Sequence, residues 1–283
     1  MNEYYVCFNI NGIRARLHQL AAVIETYQPL VIGLQETKVH DEQFPQAQVS
    51  ELGYQSFYHG QKAHYGVALL VRDQAIQDGS NLSVAAVQKG FPTDDSEAQR
   101  RFIGIELKHA SGQSLWVYNG YFPQGEGRDH PVKFPAKEAF YADLGTFIQS
   151  KHQPQDALML MGDMNVAPAD LDVGLSEQNA KRWLRSGKSS FLPEEREWHQ
   201  RLLATGLFDT WRRKYPQDPR LSWFDYRSRG FEQDPKHGLR IDQILLSDGL
   251  SERFIDAGID HEIRAMEKPS DHCPIWVSLN GGI

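Results

Sequence analysis

Asp163 and Asn165 stand two residues apart just beyond an apolar run, Leu158–Met161, and the same placement recurs along the chain. Asn9 and Asn11 follow Val6–Phe8, Glu36 follows Val31–Leu34, and Tyr121 follows Leu115–Tyr118. Asp242 precedes Ile244–Leu246, and Asp271-His272 precedes the last apolar run. One carboxylate at a strand end is ordinarily a turn residue. Four carboxylates, three amides and a histidine in equivalent places point instead to a site built at strand ends. The donors are oxygens without clustered Cys or His, which favours a hard ion, Mg²⁺ or Mn²⁺, over zinc. Such an ion takes one or two carboxylates and leaves room for water and substrate phosphate; Glu36 is the first candidate ligand. An extended backbone from Asp163 to Asn165 points both side chains the same way, so one takes a proton from water while the other donates to a phosphate oxygen. A histidine alone is more often structural. Asp242 gives His272 a partner that orients the ring and stabilises an imidazolium, which offsets charge developing on a pentacoordinate phosphate. There is no G-x-S-x-G nucleophile context and no glycine-rich phosphate loop, so serine-hydrolase and P-loop chemistries are excluded.

The elements that must hold these residues follow from periodicity. Strands are predicted over Tyr4–Phe8, Leu30–Gly33, Val67–Val71, Phe102–Leu107, Leu115–Tyr121, Ala157–Met161, Ile241–Leu246 and Pro274–Leu279. Leu17, Leu20, Ala21 and Ile24 recur at helical spacing, which makes Arg16–Tyr27 an amphipathic helix closed by Gln28-Pro29. A long helix is predicted over Phe134–Ser150, with Pro135 in its first turn, and short ones over Arg182–Arg185 and Glu194–Leu203. Strands and helices mixed without a strict alternation, and without a repeat or a Pro/Ser linker, imply an α/β sandwich: one domain over 1–283, two packed sheets with helices outside.

Composition sets the limits. With 283 residues, 40% hydrophobic and 24% charged, the chain reads as an ordinary globular protein. No apolar run approaches a membrane span and the start, MNEYYVCFNING, lacks a secretory signal, so a cytoplasmic location is expected. Cys7 and Cys273 form no disulfide framework and no zinc site; both are expected reduced, in strands. The net charge of −7 argues at first against a polyanionic partner. It hides a gradient: eight Lys/Arg against four acids lie between Trp211 and Arg240, and six more Lys/Arg between Lys181 and Arg201. A polyanion remains open where these segments share a face or a metal supplies charge.

Together these segments resemble the endonuclease/exonuclease/phosphatase family, and within it the branch of bacterial apurinic/apyrimidinic endonucleases. The matching stretches are FNINGIRAR (8–16), VIGLQETKVHDEQFP (31–45), GYQSFYHGQKAHYGVALL (53–70), NGYFPQGEGRDHPVKFPAK (119–137), LMGDMN (160–165), KRWLRSGKSSFLPEEREW (181–198), SWFDYRSRGF (222–231), GLRID (238–242) and EKPSDHCP (267–274). LMGDMN belongs to the wider family, whereas 119–137, 181–198 and 222–231 carry the DNA-repair likeness. The resemblance implies a four-layered α/β sandwich with two mixed sheets flanked by helices. It also implies a Mg²⁺- or Mn²⁺-dependent attack of water on double-stranded DNA: incision 5′ to abasic sites, 3′ to 5′ exonuclease action, and clearance of blocked 3′ termini. By the same likeness Glu36, Asp271 and Asn9 hold the metal cluster, joined by Asp163 and Asn165. Asp163 activates water, Asn165 binds phosphate, and Tyr121 contacts phosphate or the leaving group. His272 contacts phosphate and Asp242 orients it. Trp223 and Phe224 pack against the sugar of an abasic nucleotide, which is cheaper to flip out than an intact one, while Lys181, Arg182, Arg185 and Lys188 straddle backbone phosphates. A monomer acting on nucleoid DNA is the expected form. Asn11 stands where some relatives carry aspartate, Asp78–Lys89 is longer than expected with a surface loop at Ser80-Asn81-Leu82, and Cys273 is given no catalytic task. Two rivals remain: a relative acting on lipid or inositol phosphates, and a non-catalytic module that binds DNA ends or abasic sites.

Overall fold

The computed structural model describes residues 2–77 and 79–281. In chain order the elements are β1 (Asn2–Asn9), α1 (Leu17–Tyr27), β2 (Val31–Gln35), α2 (Gln46–Glu51), β3 (Tyr54–His59), β4 (Val67–Arg72), α3 (Asp73–Ile76), β5 (Leu82–Lys89), β6 (Phe102–His109), β7 (Ser114–Tyr121), α4 (Lys133–Lys151), β8 (Leu158–Asp163), α5 (Glu177–Arg185), α6 (Pro193–Leu203), β9 (Leu207–Asp209), α7 (Thr210–Lys214), β10 (Asp242–Ser247), β11 (Phe254–Ile259), α8 (His261–Arg264) and β12 (Ile275–Asn280). They form two six-stranded sheets, ordered β11-β12-β1-β2-β4-β3 and β5-β6-β7-β8-β10-β9. Both are mixed: β1–β2 and β7–β8 are parallel pairs and every other pairing is antiparallel.

The period-2 alternation of strand side chains builds the layers. In β1, Tyr5 and Cys7 enter the core between the sheets with Val31, Val117, Met159, Met161 and Ile244. Val6 and Phe8 face the other way, onto Leu20 and Val23 of α1. On the second sheet Leu158, Leu160 and Leu245 point outward, beneath Phe140 and Leu144 of α4 and Trp198 and Leu202 of α6. Each of these fully buried side chains contributes about 1.5–3 kcal/mol relative to exposure. The result is helix, sheet, sheet, helix: the four layers expected.

The alternation also explains the strand ends. Asn9 continues the inward series Tyr5, Cys7; Tyr121 continues Leu115, Val117; Asp163 continues Met159, Met161; and Asp242 precedes Ile244 on the same side. Polar residues at inward positions, past the end of the apolar core, therefore meet at one rim between the sheets.

Several expectations are corrected. Leu82–Lys89 is not loop but an edge strand, β5, pairing with β6; the alternating Leu82, Val84, Ala86 that half-bury on the core carried that signal. Asp78 lies outside the described residues. The strands β3, β9 and β11 were absent from the periodicity reading, and α5 begins five residues earlier than Arg182, at Glu177, capped by the Ser176 hydroxyl. Cys7 lies in β1 but Cys273 just precedes β12; both are buried free thiols.

Candidate active site

Two parallel neighbours set the first pair of side chains. Tyr121 ends β7 directly beside Asp163 at the end of β8, and Gly120 pairs with Gly162 one step earlier. A Cβ at Gly162 would lie 2.1 Å from the Gly120 carbonyl oxygen, so only glycine lets the strands deliver Tyr121 and Asp163 side by side. Antiparallel pairing then sets Asp242 of β10 opposite Asp163. Isolated bridges of Trp223 to Leu239 and His272 stitch the 222–224 and 271–273 segments alongside.

Asn9 joins the sheets at this rim: its Nδ2 donates to Glu36 Oε1 and to Asp163 Oδ2, both at 2.9 Å. Glu36 sits in a left-handed turn (φ 51°) just past β2, and Lys38 Nζ lies 2.9 Å from its other oxygen. Lys38 also donates to Asn11 Oδ1, while Asn11 Nδ2 donates to Asp271 Oδ1 at 2.7 Å. Asp271 Oδ2 accepts from Trp223 Nε1 at 3.0 Å. His272 Nδ1 is 2.9 Å from both Asp242 oxygens, and its Nε2 is 3.7 Å from Asp163 Oδ2.

Burial and charge set the protonation states. Burial would depress His272, but Asp242 and Asp163 outweigh it and hold the imidazole up at about 10, so it is cationic at neutral pH. Burial pushes Asp163 up to about 7; the charges of Asp242 and Glu36 add to this while His272 opposes it. Burial, then Glu36 and Asp163, keep the Tyr121 phenol protonated well above its ordinary range. For Asp271 burial is outweighed by His272, Asn11 and Trp223, and its carboxyl is held low.

Oxygen or nitrogen donors of Glu36, Asp163 and His272 lie within 4.8 Å of one another. A protonated imidazole is no ligand, so the carboxylates remain as the metal-binding donors. They suit a hard cation: Lys38 already places a positive nitrogen against Glu36 Oε2 and Asn11 Oδ1. Asp271 lines the same cleft but is outside that close group, its two oxygens being taken by Asn11 and Trp223.

The cluster forms the floor of an open cleft of about 640 Å³. Glu36, Tyr121, Asp163, Asn165, Asp271, His272 and Trp223 line it, with Arg182 and Lys188 on its walls. Two expectations fail here. Asn165 does not follow Asp163 in extended backbone; it is left-handed (φ 53°), its N–H donating to Asp163 Oδ1 at 3.1 Å and its Nδ2 to the Phe122 carbonyl at 3.0 Å. Phe224 is fully buried against Phe231 and His261, because its neighbour Trp223 takes the cleft side. Lys181, paired with Glu177, and Arg185 are exposed on α5 outside the cleft lining. The basic gradient is partly internal as well, since Arg212 and Arg240 are tied to Asp172.

The sequence reading missed several contributors. Ser222 Oγ donates to Asp242 Oδ2 at 2.6 Å, and the Arg101 guanidinium lies 4.8 Å from the Tyr121 ring centre with Nη1 donating to the Tyr121 carbonyl. Trp183 lines the cleft with Lys188 Nζ 3.8 Å above its ring, and Asn179, Arg227 and Ser228 line it too. Trp183 and Ser222 lay inside the quoted stretches; Arg101 had no signal at all.

A rim of carboxylates around a cationic His–Asp pair, between two mixed sheets, defines a metal-assisted phosphoesterase of known architecture. The chain belongs to the Endonuclease/Exonuclease/phosphatase family, which it matches over residues 6–272. It is 55% identical over 276 residues to the exodeoxyribonuclease III of Haemophilus influenzae, covering 97% of this chain and 99% of that one. Among solved structures it is similar to an AP endonuclease from Archaeoglobus fulgidus (TM-score 0.86, 29% identity, 99% and 100% of the two chains). It is also similar to a Neisseria 3′ phosphatase bound to product DNA hairpin (TM-score 0.83, 32% identity, 99% and 100%).

Proposed function

We propose that this protein is a divalent-metal-dependent DNA-repair phosphodiesterase that incises duplex DNA 5′ to abasic sites, digests it 3′ to 5′ from ends, and clears blocked 3′ termini. The observation that carries the reading is Asp163 held beside a protonated His272–Asp242 pair on the floor of a cleft with basic and aromatic walls. The likeness to an exodeoxyribonuclease III, to an AP endonuclease and to a 3′ phosphatase supports the three reactions as uses of one site. Each breaks a P–O bond and leaves a 3′-hydroxyl.

Asp163, poised near neutrality, takes the proton of the attacking water. His272 lends positive charge to the phosphoryl oxygens, held by Asp242, which Ser222 in turn fixes. Asn165 binds a phosphoryl oxygen, and the protonated Tyr121 phenol donates to the phosphate or to the departing oxygen. Glu36 would hold the metal, with Asp163 and Asp271 beside it and Asn9 bracing Glu36 and Asp163. Once bound, Mg²⁺ or Mn²⁺ supplies Lewis acidity at the scissile phosphate. Trp223 walls the space for a base-free sugar, and Arg182 and Lys188 meet backbone phosphates; Arg185 lies further out along the same helix. The whole chain acts as one catalytic unit, since both sheets supply site residues. It works as a monomer on nucleoid DNA in the cytoplasm; its two buried free thiols suit that compartment, and no described helix is long and apolar enough to cross a membrane.

The test is a duplex with one central abasic analogue and blocked ends, incubated with Mg²⁺ and with excess EDTA. A nick on the 5′ side leaving a 3′-hydroxyl, abolished by EDTA, is the expected result. Full cleavage in EDTA would overturn the metal role; tight binding without cleavage would make the protein a binding module.

A further inference from the structure

Lys137 and Glu195 form an ion pair whose side chains are wholly inaccessible, on α4 and α6, behind the carboxylate rim. Such a pair is a weak source of stability, because desolvating two charges costs about as much as their attraction returns, and apolar residues of like volume often do as well. The site around it is rich in aromatic rings (Phe134, Phe140, Tyr141, Trp198), so an apolar pair would fit there. What apolar residues cannot do is hydrogen-bond backbone.

This pair does little else. An ammonium has three protons to donate. Lys137 Nζ gives them to Glu195 Oε1 at 2.6 Å, to the Asn165 carbonyl at 2.8 Å and to the Gln124 carbonyl at 3.3 Å. Glu195 Oε2 accepts from the N–H groups of Ser190 at 2.7 Å and Leu192 at 2.8 Å. Four backbone groups from three separate loops thus converge on one buried charge pair. Gln124, Asn165 and Ser190 each line the cleft. One turn along α4, Tyr141 Oη donates to the Met164 carbonyl at 2.8 Å, so one helix grips two successive peptides.

Asn165 is where this matters most. A non-glycine residue at φ 53° is uncommon, asparagine is among those that tolerate it best, and here it is held from three sides. Its N–H is held by Asp163 Oδ1 and its side-chain amide by Phe122, leaving the carbonyl to be fixed by Lys137. We infer that the Lys137–Glu195 pair positions the phosphate-binding wall of the cleft, locking Asn165 in its left-handed turn and anchoring the 124 and 190 loops beside it. Lys137 touches no substrate and acts through Asn165. The inference rests on the phosphodiesterase reading for its catalytic consequence, though not for its geometry.

The test is the double variant Lys137→Met with Glu195→Gln, which leaves no buried charge unpaired; the amide oxygen introduced at 195 still accepts from Ser190 and Leu192. Helical content and amide protection in α4 and α6 are expected to stay as in the parent. Backbone amides of Asn165 and Ala167 are expected to exchange about tenfold faster. On the abasic duplex kcat is expected to fall about 10- to 100-fold with KM changed less than about threefold, the mark of a misplaced group felt in the transition state. Adding Asn165→Ala is expected to cost nothing more than Asn165→Ala alone, because the pair works through that residue. Losses that multiply, a kcat within about twofold of the parent, or unchanged exchange at Asn165 would each overturn the inference. An unaltered protein that cuts no DNA would sink the phosphodiesterase reading instead, and the exchange measurement would still decide the positioning.

Discussion

Two buried charge clusters flank the first residues of β10, and they are opposites. Arg240 bonds Asp172 through Nε at 2.6 Å and Asp209 through Nη2 at 2.6 Å, while Arg212 Nη2 meets Asp172 at 2.5 Å. Two carboxylates meet two guanidiniums, and the group is neutral. Burial would raise Asp172, but Arg240 and Arg212 outweigh it and hold its carboxyl low. Two residues on, Asp242 belongs to a cluster with Glu36, Asp163 and Asp271, and the cations among them are Lys38 and His272. Carboxylates outnumber the cations here, and the excess shows in Asp163, which burial and the neighbouring charges of Asp242 and Glu36 push up to about 7. The first cluster is finished structure. The second is left incomplete by the protein alone, which is how a site that must take up a cation and a phosphate differs from a brace.

The sharpest way to separate the two is Asp163→Asn. Turnover on the abasic duplex should fall by about 10³- to 10⁴-fold, with DNA affinity within about threefold. The metal-free protein should at the same time melt higher at pH 8, since one repelling charge is gone. Single-turnover kinetics and calorimetry read the two effects, and a loss under tenfold would place the base elsewhere. Arg240→Met attacks the finished cluster and should do the reverse: it strands Asp209 and leaves Asp172 with Arg212 alone, costs about 3–5 kcal/mol in urea unfolding, and leaves the chemistry of the surviving fold largely intact.

Proton linkage distinguishes them more gently. His272, raised to about 10 from 6.5, gives stability that is full below 6.5 and is lost as pH climbs toward 10. Asp163, raised to about 7 from 3.8, has the same sign: it costs nothing below 3.8 and an increasing amount up to about 7. Asp172, depressed from 3.8, gives stability above 3.8 that is lost as the pH falls below it. Urea titrations in EDTA should therefore show a decline with rising pH, which Asp163→Asn flattens up to about pH 7, and an acid decline that Arg240→Met flattens. The smallest effect is expected from Trp223→Ala, which frees one oxygen of Asp271. Abasic incision should drop about tenfold as one wall of the sugar's space is lost, and digestion from ends less. Equal losses would return Trp223 to a packing role.

Much of the incomplete cluster was legible because strand periodicity is local: Asn9, Tyr121, Asp163 and Asp242 each stand at an inward position just past an apolar run. Asp271 and His272 were legible from their place before β12. The finished cluster was not. Arg212 and Arg240 read as part of a charge gradient and Asp172 and Asp209 carried no signal, and only tertiary pairing shows that Arg240 and Arg212 face these acids. Phe224 beside Trp223 illustrates the same limit, since composition cannot say which of two adjacent aromatics turns to the cleft. Nor could spacing find Lys137 with Glu195, partners 58 residues apart. The edge strand β5 was hidden by the polar loop before it.

The position of β12 has one more consequence. It lies inside the first sheet, between β11 and β1, so the earliest strand made is paired with the latest. Asn9 and Glu36 stand beside β1 and β2, and Asp271 and His272 just before β12. As the chain is made, β1 therefore waits with an open flank, and the acidic rim unclosed, until the segment carrying Asp271, His272 and β12 has followed. Closure of the site is thus tied to pairing between strands far apart in sequence rather than to any one local stretch.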